Sequence, residues 1–257
     1  MSITTVDGWI ASGKQYLAVS KSSLTTVAGN QYSLWLTTGQ PAAGAAPGAV
    51  AVPTSATQGA SNFNNPTSPQ LTYVGRVDAM CQQTGMLILY DRLSHYGSLS
   101  PTLTTSQTIN TSAINRGDTT GLNVEAFIET YTALGAASAN ATVTYTDDTN
   151  TSRSGVVAIA TSSPVSLMLK VPMAGTAAGV RQIQSVQLSA SVLSGTLGVT
   201  LCRRLATIPV IANIPTTLDP FTLGLPQVND NACLFWSFVA NATSSGPLSA
   251  SVMIGQA

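Results

Sequence analysis

Between Lys21 and Arg76 the chain runs through 54 consecutive positions without a charged side chain. The centre of that run, GQPAAGAAPGAVAVPTSATQGASNFNNPTSP, holds five of the thirteen prolines. Proline removes main-chain donors and fixes φ, and glycine weakens any regular element, so this stretch is a poor helix and a poor central strand. It is expected as an extended arm or long loop. Charged residues normally keep such a segment solvated, and here there are none. The arm is therefore expected to lie against protein, either its own core or a neighbouring chain. A plain flexible linker is the alternative.

The shortage of charge extends to the whole chain. Of 257 residues, ten are Lys or Arg and ten are Asp or Glu, against 63 Ser and Thr. That is 8% charged, where an average soluble domain has roughly 25%. A formal net charge of zero argues against holding nucleic acid by phosphate neutralisation. With 44% apolar residues, disorder driven by charge is also excluded. No apolar run approaches the roughly 20 residues of a membrane-spanning helix. The start, MSITTVDGWIASGK, lacks a basic region followed by an apolar one, so no signal peptide is expected. Cys81, Cys202 and Cys233 are far apart and odd in number, which suggests neither a zinc knuckle nor a disulfide scaffold. Cys202 and Cys233 lie in apolar stretches and are expected as small buried hydrophobes.

The local patterns point to strands. Thr4 or Thr5 is placed to cap a short helix with Asp7 in its first turn. Trp9, Tyr16, Tyr32 and Trp35 are expected to anchor the first forty residues. From Leu71 onward, short alternating runs are split by Gly, Asn, Asp and Pro. Residues 142–146 alternate Thr with Val143 and Tyr145, the DDTN of 147–150 supplies turn chemistry, and GVVAIAT completes a hairpin. Residues 165–171, 197–203 and 248–254 alternate as well, while GMLILY (85–90) and CLFWSFV (233–239) read as strands buried on both faces. About ten strands are expected after residue 70, with no βαβ alternation. The expected fold is all-β: a β-sandwich, jelly-roll-like, with a short N-terminal helix and an extended arm. The expected division is 1–70 for helix and arm and 71–257 for the sandwich.

Few residues offer chemistry. His95 lies near Asp91, Ser94 and Ser98, but no GxSxG elbow accompanies it, so a structural hydrogen bond is expected. On a strand Glu125 and Glu129 would share one face about 13 Å apart, too far for paired glycosidase carboxylates, and on a helix they would lie about 6 Å apart; the alternation of Val124, Ala126 and Ile128 favours the strand, with both glutamates on its polar face. Asp147 and Asp148 lack the EF-hand pattern and read as turn residues. Arg203 and Arg204 would face opposite ways, one buried in an ion pair and one exposed. Four N-x-[ST] sequons, at Asn110, Asn140, Asn150 and Asn241, are expected by chance in so hydroxyl-rich a chain. No catalytic, cofactor-binding or metal-binding residue is assigned. A surface with so few charges favours association over monomeric solubility.

Three stretches carry a resemblance. They are Gly179 to Ser189 (GVRQIQSVQLS), Leu201 to Pro209 (LCRRLATIP) and Leu225 to Leu234 (LPQVNDNACL), within segments 167–210 and 225–254, supported by residues 85–100. Over about residues 71–257 the chain resembles virion structural proteins of tailed bacteriophages, of the head cement or decoration kind. The resemblance does not extend through the neutral arm, and the family supplies no catalytic residues to carry over. It implies a structural protein on the outer surface of the phage head, assembled in the host bacterial cytoplasm. The implied partners are the major capsid protein and other copies of the chain, as a homotrimer or homodimer, with no nucleic acid, membrane, cofactor or enzymatic role. The alternatives are a tail, baseplate or fibre-attachment protein and, further off, a glycan-binding or glycan-degrading protein.

Overall fold

The computed structural model describes residue 3 and residues 5–257; Thr4, one of the two expected caps, lies outside the described residues. Helix α1 (Val6–Ala11) starts at Thr5, whose side chain accepts from the Gly8 N–H. The strands follow in order: β1 (Gly13–Lys21), β2 (Gln31–Ser33), β3 (Gly39–Gln40), β4 (Thr72–Cys81), β5 (Gly85–Leu99), β6 (Gln107–Thr108), β7 (Val124–Thr132) and β8 (Ala139–Asp147). Then come β9 (Ser152–Ile159), β10 (Leu167–Lys170), β11 (Val180–Leu188), β12 (Thr196–Val210), β13 (Thr216–Leu218), helix α2 (Pro220–Leu223), β14 (Gln227–Val228), β15 (Leu234–Ala240) and β16 (Leu248–Gln256). The all-β, sandwich-like architecture is the one expected from the patterning, with ten strands of four residues or more after residue 70.

The strands form three layers. A six-stranded sheet runs β13-β4-β16-β1-β3, with β14 also on β4; a ring β10-β2-β15-β5-β12-β7 closes on itself; a four-stranded sheet runs β6-β11-β8-β9. The middle layer is therefore a barrel, and the two open sheets cover its sides. Alternation explains the layering, because each strand sends successive side chains to opposite faces. Leu17, Val19, Val77, Val252 and Ile254 of the six-stranded sheet pack on Leu87, Leu89, Trp236 and Phe238 of the barrel. On the other side, Val143, Tyr145, Ile183 and Val186 pack on Val124, Ala126, Ile128, Val199 and Leu201. The barrel is filled by Trp35, Tyr90, Phe127, Cys202, Cys233 and Phe235.

A boundary at 70/71 does not separate the sheets. Strand β1 pairs along its whole length with β16, and β2 bridges β10 and β15 to close the barrel. The neutral run thus contributes a barrel strand as well as an arm, because Tyr32 and Leu34 bring apolar bulk that its centre lacks. It also supplies β3 and the start of β4 to the six-stranded sheet, while its central part, residues 44–61, lies against the barrel. Strand β5 extends past the start of β15, leaving main-chain groups without a strand partner. Ala51 exchanges two hydrogen bonds with His95, and Pro47 accepts from the Gly97 N–H. The small residues in this segment have a steric purpose. A Cβ on Gly44 or Gly59 would lie 2.2 or 2.8 Å from the Trp35 indole, and Gly59 has φ +103°. The Trp35 Nε1 donates to the Ala45 carbonyl. Trp9, Tyr32 and Trp35 are buried as expected, but Tyr16 is 71% exposed, because it occupies an outward position of β1.

Candidate functional site

Of the residues singled out for chemistry, His95, Glu125, Glu129 and Arg204 are gathered in and around the barrel, and Asp147 lies in the four-stranded sheet. Arg92 is fully buried and grips Glu129 with two hydrogen bonds, 2.8 Å from Nη1 to Oε2 and 3.0 Å from Nη2 to Oε1. Glu129 also accepts from Thr200 Oγ1 at 2.6 Å and Tyr131 Oη at 3.2 Å. The guanidinium lies 4.5 Å from the centre of the Trp35 ring and 4.2 Å from that of Phe235. Burial alone would raise the Glu129 pKa, yet the Arg92 charge and these hydrogen bonds outweigh it and hold the carboxyl below its ordinary range. The pair is charged and fully buried.

His95 faces this pair. It enters the barrel because of a register shift in the β5–β12 pairing between Arg92 and Ser94, which puts Leu93 on the sheet side and His95 inside. Its Nδ1 lies 3.2 Å from Arg92 Nη1, and its ring meets Trp35 edge-on. Burial first, and then the Arg92 charge, push its pKa down to about 3, so the imidazole is neutral. Asp91, its neighbour in sequence, lies elsewhere: it binds Arg116 through Nε and Nη2 and accepts from the Cys233 N–H. Ser98 turns to the Pro47 carbonyl instead. A structural hydrogen bond, as expected, is the role this geometry gives His95.

Glu125 and Glu129 do share one face of a strand, but it is the barrel interior and not a solvated polar face. The apolar residues that alternate with them, Val124, Ala126 and Ile128, are claimed by the four-stranded sheet. This reverses the usual reading of alternation, because both faces of β7 are buried. Glu125 closes one mouth of the barrel, accepting from Tyr90 Oη at 2.8 Å, Lys170 Nζ at 2.6 Å and Arg204 Nη2 at 2.6 Å. These donors hold its pKa below the ordinary range despite partial burial, which alone would raise it. Phe127 separates the two glutamates along the strand, and each is already neutralised by cations. Arg203 and Arg204 face opposite ways as expected. It is the exposed Arg204 that makes the ion pair, with 44% of its side chain accessible, whereas Arg203 donates to the carbonyls of Arg116 and Asp118.

Asp147 behaves as a turn residue. Its Oδ1 accepts from Thr149 N, Thr149 Oγ1 and Thr151 N, and its Oδ2 from Arg153 Nε. Although burial opposes it, these bonds bring its pKa down to about 2. All three cysteines are free and buried; burial raises each thiol, that of Cys233 to about 12. Among the described residues no group of three or more His, Cys, Asp or Glu is arranged to hold a metal ion.

The opposite end of the barrel has a different character. Four loops meet there: residues 100–106, 133–138, 160–166 and 189–195. None contains a charged residue. Main-chain bonds join them into one plate: Val192 N to Pro101 O, Gly135 N to Ser194 O, Leu134 N to Ser163 O, and Ser162 N to Gly135 O. Leu134 and Val192 anchor the plate from below. Above it, Leu103 and Leu193 are 50% and 59% exposed. Leu193 has φ +71°, in the left-handed region that a large side chain occupies at a cost. Reasoning from chemistry-bearing residue types passes over this surface. Its signal was the absence of charge from four separate loops.

No family model matches the chain, and no curated protein matches it. Among solved structures, one similar chain is that of the VP2 subviral particle of infectious bursal disease virus. The identity is 9% over 95% of this chain and 80% of that one, with a TM-score of 0.19, a likeness that carries no argument.

Proposed function

We propose that this chain is a structural protein of a tailed-bacteriophage virion, a cement or decoration protein on the outer surface of the head. It would bind across major capsid protein subunits, and to its own copies, and would have no catalytic role. The uncharged loop plate carries this reading. Interface cores are depleted in Lys, Glu and Asp, and exposed apolar groups on a rigid, hydrogen-bonded support are suited to contact with protein. The charged groups support it from the other direction: Arg92, Glu129 and His95 are spent on one another out of reach of any substrate. The resemblance of segments 167–210 and 225–254 to phage virion proteins points the same way. Many modest contacts repeated over a lattice give large avidity without a strong single site.

Gold-labelled antibody against this chain, applied to purified virions of the phage that encodes it, is expected to decorate heads. Label confined to tails, or absent from virions, overturns the proposal. Purified capsids lacking the chain provide a second measure. They are expected to bind it, and Leu103→Asp with Leu193→Asp is expected to weaken binding by at least about tenfold without unfolding the protein.

A further inference from the structure

Strand β9 forms an open edge of the four-stranded sheet. The bond from Asp147 N to Thr151 O sets the phase of the β8–β9 hairpin. Residues 153, 155, 157 and 159 therefore exchange main-chain bonds with β8, and Ser154, Val156 and Ala158 direct their N–H and C=O groups outward. Among the described residues none of these outward groups has a hydrogen-bond partner. The strand is eight residues long, pairs with β8 without a register shift, and contains neither Pro nor Lys. Its one charge, Arg153, is turned to Asp147. Natural sheets usually protect such an edge with charge, proline, a bulge or brevity. The other sheet ends here follow that rule: β3 and β6 have two residues each, and β13 has three, between Pro215 and Pro220.

We infer that the β9 edge pairs with the same edge of a second copy of this chain, antiparallel, around a two-fold axis at Val156. The sequence of the edge is self-complementary in that register. Val156 meets Val156, and Ser154 meets Ala158, with each outward N–H facing an outward C=O. Roughly six main-chain hydrogen bonds follow, two for each hydrogen-bonded pair. Val156, 54% exposed in the single chain, is covered by its symmetry mate. The neighbouring outward side chains bring no repulsion, since the exposed face of this sheet presents Thr142, Thr144, Ser154, Ser185 and Gln187. Registers shifted by two or four residues with the same phase put Val156 opposite Ser154 or Ser152 and leave it partly uncovered. The product is an isologous dimer with a continuous eight-stranded sheet. This deepens the self-association part of the proposed function, and it is tested in solution, without reference to any virion.

Sedimentation of the full chain at tens of micromolar is expected to show a dimer. Val156→Lys, which places two ammonium groups opposite each other, is expected to raise the dissociation constant by at least about tenfold, with the monomer's thermal unfolding unchanged. Val156→Cys is expected to form a disulfide-linked dimer on oxidation, and Ser152→Cys, away from the axis, is not. A monomeric wild type, or a dimer that ignores Val156→Lys and does not cross-link through Val156→Cys, overturns the inference. The cross-link keeps the test decisive if the lysine variant folds poorly. Head labelling with a monomeric chain in solution would leave the cement proposal standing and sink only this one.

Discussion

The two ends of the barrel divide the chemistry of the chain between them. At the end closed by Glu125, Lys170 and Arg204, and along the interior to Glu129 and Arg92, carboxylates and cations are matched one against another. At the loop plate there is no charge to match. A chain with only 8% charged residues would ordinarily keep them at the surface for solubility. Here several are withdrawn to specify the interior, and the loop plate is left to hydroxyls, small apolar residues and two exposed leucines. Scarce charge is used as an internal register mark.

The comparison breaks most visibly at Arg92. Arg92→Met leaves the Glu129 carboxylate buried without its partner, and a loss of about 3–5 kcal/mol is expected from urea denaturation. Arg92→Met combined with Glu129→Leu is expected to recover much of it, since a packed apolar pair carries no desolvation cost. A loss below about 1 kcal/mol for the single variant would mean that the interior does not depend on the pair.

His95 sharpens the same contrast through pH. Its pKa in the folded state, about 3, lies below the unfolded value, so the unfolded chain binds the extra proton first. Stability from this group is complete above about pH 6.5 and is lost as pH falls toward 3, by about 1.4 kcal/mol per pH unit within that window. The depressed carboxylates add a loss in the same direction at lower pH. His95→Gln is expected to flatten the slope between pH 6 and pH 4, measured as denaturation midpoints. An unchanged slope would remove His95 from the account.

The smallest effect, and one of opposite sign, belongs to the plate. Leu193→Asn relieves a left-handed backbone at a residue whose side chain is 59% exposed. A gain of about 0.5–1 kcal/mol in thermal unfolding is expected, together with weaker capsid binding. A loss of stability would show that Leu193 serves the fold and not a partner.

Much of the fold was legible because strand periodicity is local. Leu248, Ala250, Val252 and Ile254 alternate in sequence and are all buried. Thr5, Asp147 and the apolar runs at 85–90 and 233–239 likewise fall where their chemistry places them. What stayed hidden depends on neighbours distant in sequence. The alternation of β7 shows that two faces differ and does not say that the glutamate face is the inner one. That choice was made by the four-stranded sheet, which needed Val124, Ala126 and Ile128. The neutral run lies against protein, as its lack of charge implies, yet β2 within it is only three residues long and closes the barrel through pairing with residues more than 130 positions away. The loop plate is likewise invisible one loop at a time.

The pairing of β1 with β16 sets a condition on how the chain is made. Residues 13–21 leave the ribosome well ahead of residues 248–256, their full-length partner. At roughly 5–20 residues per second that interval lasts about ten to fifty seconds. Through it the apolar positions of the first strand, Leu17 and Val19, stay unshielded or in the care of a chaperone. Synthesis that stops short of β16 would leave both its neighbours, β1 and β4, without the strand that joins them.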